Sequence, residues 1–213
     1  MPHPSAIPKA AVFRLSLYLR ELSGLHDKGT ETVSSYKLGN LLGLTGAQVR
    51  KDLTYFGQFG YPGLGYDVQK LIGELKRILG TDRVWDVVLI GCGNLGRALA
   101  SYKGFRKQGF RIVGAFDSDS RKVGTSIGGL TVQPMSELAE TVTRTSSRIA
   151  ILCVPADQAQ EVATLAAAGG IRGILNFAPA PINTPAGVVE NSVDLSVRLE
   201  QLTFQLRSTS SPD

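Results

Sequence analysis

The chain is poor in the residues that most often carry redox or metal chemistry. Its 213 positions hold two cysteines, two histidines, two methionines and one tryptophan. Cys92 and Cys153 stand 61 positions apart in apolar or Gly-rich sequence, which excludes a disulfide framework or a cysteine-built metal site. Both read as small core residues. No apolar run approaches the ~20 residues a spanning helix needs. The stretch "MPHPSAIPKAAVF" lacks the charged n-region and unbroken apolar h-region of a signal peptide, so a cytoplasmic protein without a membrane partner is expected. There is no internal repeat, and the polar tail "STSSPD" is expected to be disordered.

What the chain does have is a hydrophobic content of 43%, enough for a sizeable core, and a net charge of +5 that is unevenly spread. Positions 1–80 carry 10 Lys and Arg against 6 Asp and Glu; positions 81–213 carry 13 against 12. The basic excess belongs to the first 80 residues. It fits a polyanionic partner there, and a solvated basic face would give the same count.

Those first 80 residues read as helices followed by a Gly-rich hairpin. Val12, Leu15, Leu19 and Leu22 recur at 3-4-3 spacing and predict an amphipathic helix from about Pro8 to Leu25. A short helix (Ser35 to Leu42) then meets a Gly43-Leu44 turn, and Thr45 can N-cap a second helix reaching about Phe56. This is a helix-turn-helix layout. On the second helix Val49, Leu53 and Phe56 share an inward stripe. Ala47, Lys51, Thr54 and Tyr55 face the other way, with Arg50 and Gln48 flanking and Lys37 on the helix before. Cations for phosphates and guanine edges, amides and hydroxyls for other edges, and a small residue for close approach are the side chains that enter a major groove. A helical pair with some lysines is also an ordinary bundle; here "GQFGYPGLGY" adds a tight hairpin, the wing of a winged helix. A helix from about Asp67 to Leu79 follows, with Val68, Leu71, Ile72, Leu75, Ile78 and Leu79 as its apolar face, and Gly80 ends it.

From position 81 the pattern changes to alternating strands and helices, the signature of a doubly wound α/β fold with a parallel sheet. "VWDVVLIG", "RIVGAFD", "RIAILCVP" and "GIRGILNFAP" are buried strands, and an Ala-rich helix, about Ala156 to Ala168, joins the last two. Gly91-Cys92-Gly93-Asn94-Leu95-Gly96 matches GxGxxG between a strand and a helix. Gly91 allows the sharp turn, Gly93 the approach of a pyrophosphate, and Gly96 close helix–strand packing, while the helix N-terminus offers free N–H groups to the anion. Asp117 ends the second strand 21 residues after Gly96, placed to bond the ribose hydroxyls of NAD(H) and to repel the 2′-phosphate of NADP(H). Arg121 and Lys122 stand close by and weaken that preference.

Hydride transfer to a carbonyl needs a proton donor near the nicotinamide. His3 and His26 lie in the helical half, no Tyr-x-x-x-Lys pair is present, and about 130 residues leave no room for a catalytic domain beside the nucleotide fold. A nucleotide domain without an acid/base group, joined to a DNA reader, reads as a sensor rather than an enzyme.

At this point the motifs "QVRKDLTYFGQFG", "GYPGLGY", "GCGNLGRALASYKGF", "GILNFAP" and "VENSVDL" together resemble the Rex family of redox-sensing transcriptional repressors, from about Ser5 to Leu206. The resemblance implies an N-terminal winged helix (1–80), a Rossmann NAD(H) domain (81–193) and a C-terminal dimerisation helix and tail (194–213). It implies a homodimer that binds a palindromic operator and releases it when NADH binds. Arg50 and Lys51 then fall in the recognition helix, Gly91, Gly93, Gly96 and Asp117 in the cofactor loop, and Pro155, Asn176, Phe177 and Ala178 on the nicotinamide side. Arg20, Tyr102 and Asp194 match a family trio that joins domains and subunits differently in the two states; a broken ion pair worth ~2 kcal/mol shifts such an equilibrium about thirtyfold. A static pair, or none, is the alternative. Two departures stand out: Tyr61-Pro62 replaces the basic wing tip, and Leu195 stands where some relatives have phenylalanine.

Leu195, Leu199, Leu202 and Leu206 make one apolar stripe, with Val197 and Phe204 nearly opposite. Such a helix wants burial on two sides, by a partner subunit or within its own domain. Two competing functions remain: a small NAD-dependent oxidoreductase or CoA-binding enzyme subunit, and a thiol switch at Cys92, whose pKa a helix N-terminus would lower.

Overall fold

In the computed structural model, residues 7–60 and 63–209 are described. His3, the Tyr61-Pro62 wing tip and positions 210–213 of the tail lie outside the described residues. The chain divides into two units, Met1–Arg83 and Val84–Asp213.

In the first unit, α1 (Lys9–Asp27) buries Ala11, Leu15, Tyr18, Leu19, Leu22 and Leu25. The stripe runs through position 11, so Val12, expected on it, stands at its edge and is 40% exposed. Helix α3 (Gly46–Thr54) starts as expected on Thr45, whose Oγ1 accepts from the Gln48 N–H at 3.1 Å, and α2 (Ser35–Leu41) starts on a hydroxyl cap of the same kind, Ser34 Oγ accepting from the Lys37 N–H at 3.0 Å. The two helices touch through glycine. A Cβ on Gly39 would lie 2.7 Å from the Leu44 carbonyl oxygen, and one on Gly46 would lie 3.0 Å from the Tyr36 nitrogen. Any larger residue forces the turn apart.

In the segment after α3, the chain doubles back so that Gly60 lies against Gly65 and Tyr66, and its strand among the described residues, β2 (Tyr66–Asp67), pairs antiparallel with β1 (Thr32–Val33), which precedes α2. Four glycines in that stretch leave few side chains to pack on a pleated surface, and the described ladder is the one β2 makes with β1. Asp67 caps α4 (Val68–Leu79), accepting from the Lys70 N–H at 2.8 Å, and Gly80 ends it in the left-handed conformation. Val68, Leu71 and Leu75 of α4 join Leu15, Tyr18, Leu22, Leu38 and Val49 in one core.

The second unit is a seven-stranded sheet of order β5-β6-β4-β3-β7-β8-β9, parallel throughout except for the β5–β6 edge. The strands are β3 (Trp85–Ile90), β4 (Phe110–Asp117), β5 (Ser126–Ile127), β6 (Leu130–Pro134), β7 (Ile149–Leu152), β8 (Gly173–Asn176) and β9 (Val189–Ser192). The helices are α5 (Asn94–Ala100), α6 (Lys103–Lys107), α7 (Leu138–Thr145), α8 (Ala156–Ala168) and α9 (Leu195–Thr209). Alternate residues of β3 enter different cores: Val88 and Ile90 pack with Phe116 and Ala163, Val87 and Leu89 with Ala115 and Ile151. A strand covered on both faces has to be apolar at every position, which is why "VVLI" is unbroken. The chain runs from β3 to its neighbour β4 and later returns to β7 on the other side of β3. That reversal opens a crevice at the carboxyl ends of β3 and β7.

Candidate functional site

The crevice is a cleft of about 490 Å³. Its floor is the glycine loop. Gly91 has φ +95°, and a side chain there would run into the Cys153 carbonyl, while one on Gly96 would run into the Gly91 carbonyl. Gly93 is different: beyond its own chain neighbours, no atom lies within 4 Å of where its Cβ would be. It N-caps α5 with no side chain bonding the helix start. This bare backbone is the cradle a pyrophosphate requires, so the loop fits a dinucleotide.

Of the residues expected around the cofactor, Gly91, Gly93, Asn94, Leu95, Asp117, Pro155 and Phe177 line the cleft. Cys92, Gly96, Asn176 and Ala178 lie buried outside its lining. Asn176 orders the loop it opens: its amide donates to the Ala180 carbonyl (3.0 Å) and to Glu190 (3.3 Å), and its Oδ1 accepts from the Ala178 N–H (2.9 Å). Asp117 is 6% exposed. Its Oδ2 accepts from the Cys92 N–H at 2.7 Å and Lys122 Nζ at 2.9 Å, and its Oδ1 from the Asp119 N–H at 2.8 Å. Burial pushes this carboxyl up, and the Asp119 and Cys92 N–H groups with the Lys122 ammonium outweigh burial and hold it below the ordinary aspartate range. A carboxylate has about four lone-pair sites. Asp117 therefore spends three of them, one on the Cys92 N–H that ties the glycine loop to β4, and keeps capacity for one ligand hydroxyl.

Asp119, Gln158, Val162 and Met135 also line the cleft and were not read from the sequence. Asp119 is bridged to Arg121 at 2.9 Å, and its carboxyl is held at about 2 by that guanidinium. The Asp-x-Asp spacing at the end of β4 was the available signal.

Cys92 does not have the environment of a reactive thiol. Burial, with the nearby Asp117 charge, pushes it up to about 11, and its Sγ donates to the Phe116 carbonyl at 3.4 Å. Its depth in the core outweighs the helix terminus, contrary to the switch expectation.

In the first unit, Ala47, Arg50, Lys51 and Thr54 are exposed on α3, Tyr55 at its end is half-buried, and Lys37 is exposed on α2. Arg50 donates to Ser35 Oγ at 2.7 Å, which orients its guanidinium along α2. Gln48 is half-buried and turns one N–H to Asp52 Oδ1 at 2.8 Å. Asp52 itself is fully buried. A charged residue between Val49 and Leu53 gave no sign in the sequence that it pointed inward.

Residues 82–180 match the model of the CoA binding domain family and residues 6–54 that of the putative DNA-binding protein N-terminus family. The redox-sensing transcriptional repressor Rex of Carboxydothermus hydrogenoformans is 49% identical over 94% of this chain and 97% of its own. The chain belongs to the Rex family. Among solved structures, RSP in complex with β-NAD⁺ and operator DNA matches with a TM-score of 0.90 at 36% identity, covering 95% of this chain and 94% of RSP. RSP in complex with β-NADH matches at 0.86 and 34%, covering 95% of each.

Arg20, Tyr102 and Asp194 fall on exposed sites of their own units. Arg20 projects from α1. Tyr102 precedes α6, is 61% exposed and meets the Phe105 ring edge to face at 5.1 Å. Asp194 accepts from the Ser196 N–H at 2.8 Å and the Val197 N–H at 3.3 Å, capping α9, a role the sequence reading missed. Both apolar sides of α9 are uncovered: Leu195, Leu199, Leu202 and Phe204 are each at least half exposed in the single chain. Burial within its own domain is not what this helix has. Among the described residues, no helix is long and apolar enough to cross a membrane, and no cluster of His, Cys, Asp or Glu could hold a metal ion.

Proposed function

We propose that the chain is a transcriptional repressor that senses the NADH/NAD⁺ ratio, binding a palindromic operator as a homodimer in the cytoplasm and releasing it when NADH binds. The observation that carries this reading is a bare glycine cradle at the switch point of a nucleotide fold, on the same chain as a helix-turn-helix whose outward face is small, basic and hydrogen-bonding. Residues 1–80 serve as the DNA-binding domain, with Lys37, Ala47, Gln48, Arg50, Lys51, Thr54 and Tyr55 at the operator. Residues 81–193 hold the nucleotide on the Gly91–Gly96 loop, with Asp117 at the ribose and Pro155, Phe177 and the Asn176-ordered loop toward the nicotinamide.

Residues 194–213 supply the dimer contact. A helix with apolar residues on two sides needs a cover larger than its own domain provides, and a second copy gives one to each protomer by symmetry. Arg20, Tyr102 and Asp194 form the switch: an arginine and a carboxylate that pair in one state and not in the other bias two dimer conformations, and NADH acts by preferring one of them. The chain is not an enzyme. The cleft positions a dinucleotide without a histidine beside it, and incubation with NADH and a panel of carbonyl substrates is expected to give no turnover.

The test is fluorescence anisotropy of a labelled duplex that the protein itself selects from a random-sequence library. NADH and NAD⁺ are titrated separately at fixed salt. Release at micromolar NADH, with NAD⁺ far weaker, is expected; binding indifferent to both overturns the sensor reading.

A further inference from the structure

Asp52 receives more bonds than stability calls for. Its Oδ2 accepts from Arg14 Nε at 2.5 Å and Tyr18 Oη at 2.7 Å, and its Oδ1 from Arg14 Nη2 at 2.7 Å and Gln48 Nε2 at 2.8 Å. Arg14 and Tyr18 stand one turn apart on α1, Gln48 and Asp52 one turn apart on α3. The carboxylate and the Tyr18 ring are both fully buried. Replacing a buried ionic group with apolar side chains of similar volume is often neutral or stabilising, so core stability alone does not account for a charge here. What four directed bonds provide, and an apolar contact does not, is a fixed rotation of α3 about its own axis relative to α1.

That rotation matters for one function in particular. The faces of α3 are rigidly related, so turning Asp52 out of register turns Lys51 and Thr54 with it. Contacts to base edges are directional and carry sequence information, whereas contacts to phosphates position the protein without reading sequence. We propose that Arg14, Tyr18 and Asp52 form a positioning cluster that sets the rotation of α3, with Gln48 its outlet to the surface, and that operator discrimination depends on it. This rests on the DNA-reading role given above. The Gln48 amide belongs to the cluster as much as to the DNA face: one of its two N–H donors is spent on Asp52, leaving one N–H and the carbonyl oxygen, the pair that matches an adenine edge.

Tyr18 tests the idea cleanly, because a fully buried hydroxyl cannot touch DNA. Anisotropy is measured on the full-length chain with the library-selected duplex and with a shuffled duplex of equal length, at one salt concentration, for wild type, Tyr18→Phe, Gln48→Ala and the double variant. Tyr18→Phe is expected to lower the selected-to-shuffled affinity ratio about tenfold, with shuffled binding and NADH affinity within twofold of wild type. The double variant is expected to lose less than the product of the single losses, as coupled residues do. Arg14→Lys, which keeps the charge and gives up the two-pronged geometry, is expected to do the same if Tyr18→Phe fails to fold. Parallel loss of selected and shuffled binding would make the cluster structural only, and an unchanged ratio would overturn the proposal. A wild-type chain that does not discriminate between the duplexes at all would instead overturn the DNA-reading role, and the cluster's purpose with it.

Discussion

Each unit buries one aspartate under several donors, and the two are held in opposite ways. Asp52 is served by side chains alone, three of its four bonds from residues 34 and 38 positions away. Asp117 is served mainly by the backbone, through the Cys92 and Asp119 N–H groups, with Lys122 as its one side-chain donor. Side-chain donors can be deleted one at a time; backbone donors go wherever the loop goes. The helix that reads is therefore sensitive to substitution at its supports, and the loop that binds is sensitive only where a side chain would alter its path.

The largest expected effect breaks the first arrangement. Asp52→Ala leaves Arg14 without its carboxylate in a partly buried place and is expected to cost about 3–5 kcal/mol, read by urea unfolding of the helical signal. If hydrogen exchange then shows loss of protection in both units alike, the two aspartates do not act locally and the contrast fails. Next, Gly91→Ala puts a side chain against the Cys153 carbonyl at φ +95°. NADH affinity is expected to fall about a hundredfold by calorimetry, in line with ~2–3 kcal/mol of backbone strain, with DNA binding in the absence of nucleotide retained.

Lys51→Ala follows, at about 1–3 kcal/mol of operator affinity. A loss confined to the selected duplex marks a base contact, and an equal loss on a shuffled duplex marks a phosphate contact.

Acid sharpens the contrast more gently. Both carboxyls are held below their ordinary value in the folded chain. For Asp52, burial opposes this, and the bonds from Arg14, Tyr18 and Gln48 outweigh it. Below about pH 4 the unfolded chain takes up protons that the folded chain refuses, so stability is complete above that pH and is lost as pH falls through each folded-state value. Asp52→Asn is expected to flatten the acid limb of the first unit and Asp117→Asn that of the second, followed by residue-resolved exchange between pH 5 and 2. The smallest effect belongs to Cys92→Ser: with the thiol pushed up to about 11, the variant is expected to keep the NADH response within twofold, and a lost response would restore the thiol switch.

Much of the fold could be read before any tertiary structure because its signals are local. Thr45 caps within three residues of itself, the Ala-rich run is helical over the expected span, and the glycine motif sits between its strand and helix. The edge strands β5 and β9, and β6 beside the first of them, carry no comparable signal. They are short, and partly polar residues such as those of "VENS" become strand only beside β8. The pairing of β2 with Thr32–Val33 was hidden for the same reason. In the candidate site, the residues that line the cleft through backbone geometry were anticipated, and Asn176 was taken for lining when it is the buried tie of its loop.

By itself, then, the sequence determined the two kinds of unit, the cradle for an anion and the basic outward face of α3, because periodicity, caps and glycines act over a few residues. Tertiary structure alone decided where charge goes inside. Whether Asp52 is a surface acid or the hub of a buried cluster depends on Arg14 and Tyr18 arriving from α1, and whether Asp117 is free for a ligand depends on which N–H groups the folded loop turns toward it. The energy of a carboxylate is set by the donors around it, and those donors come from distant parts of the chain or from the exact path of the loop.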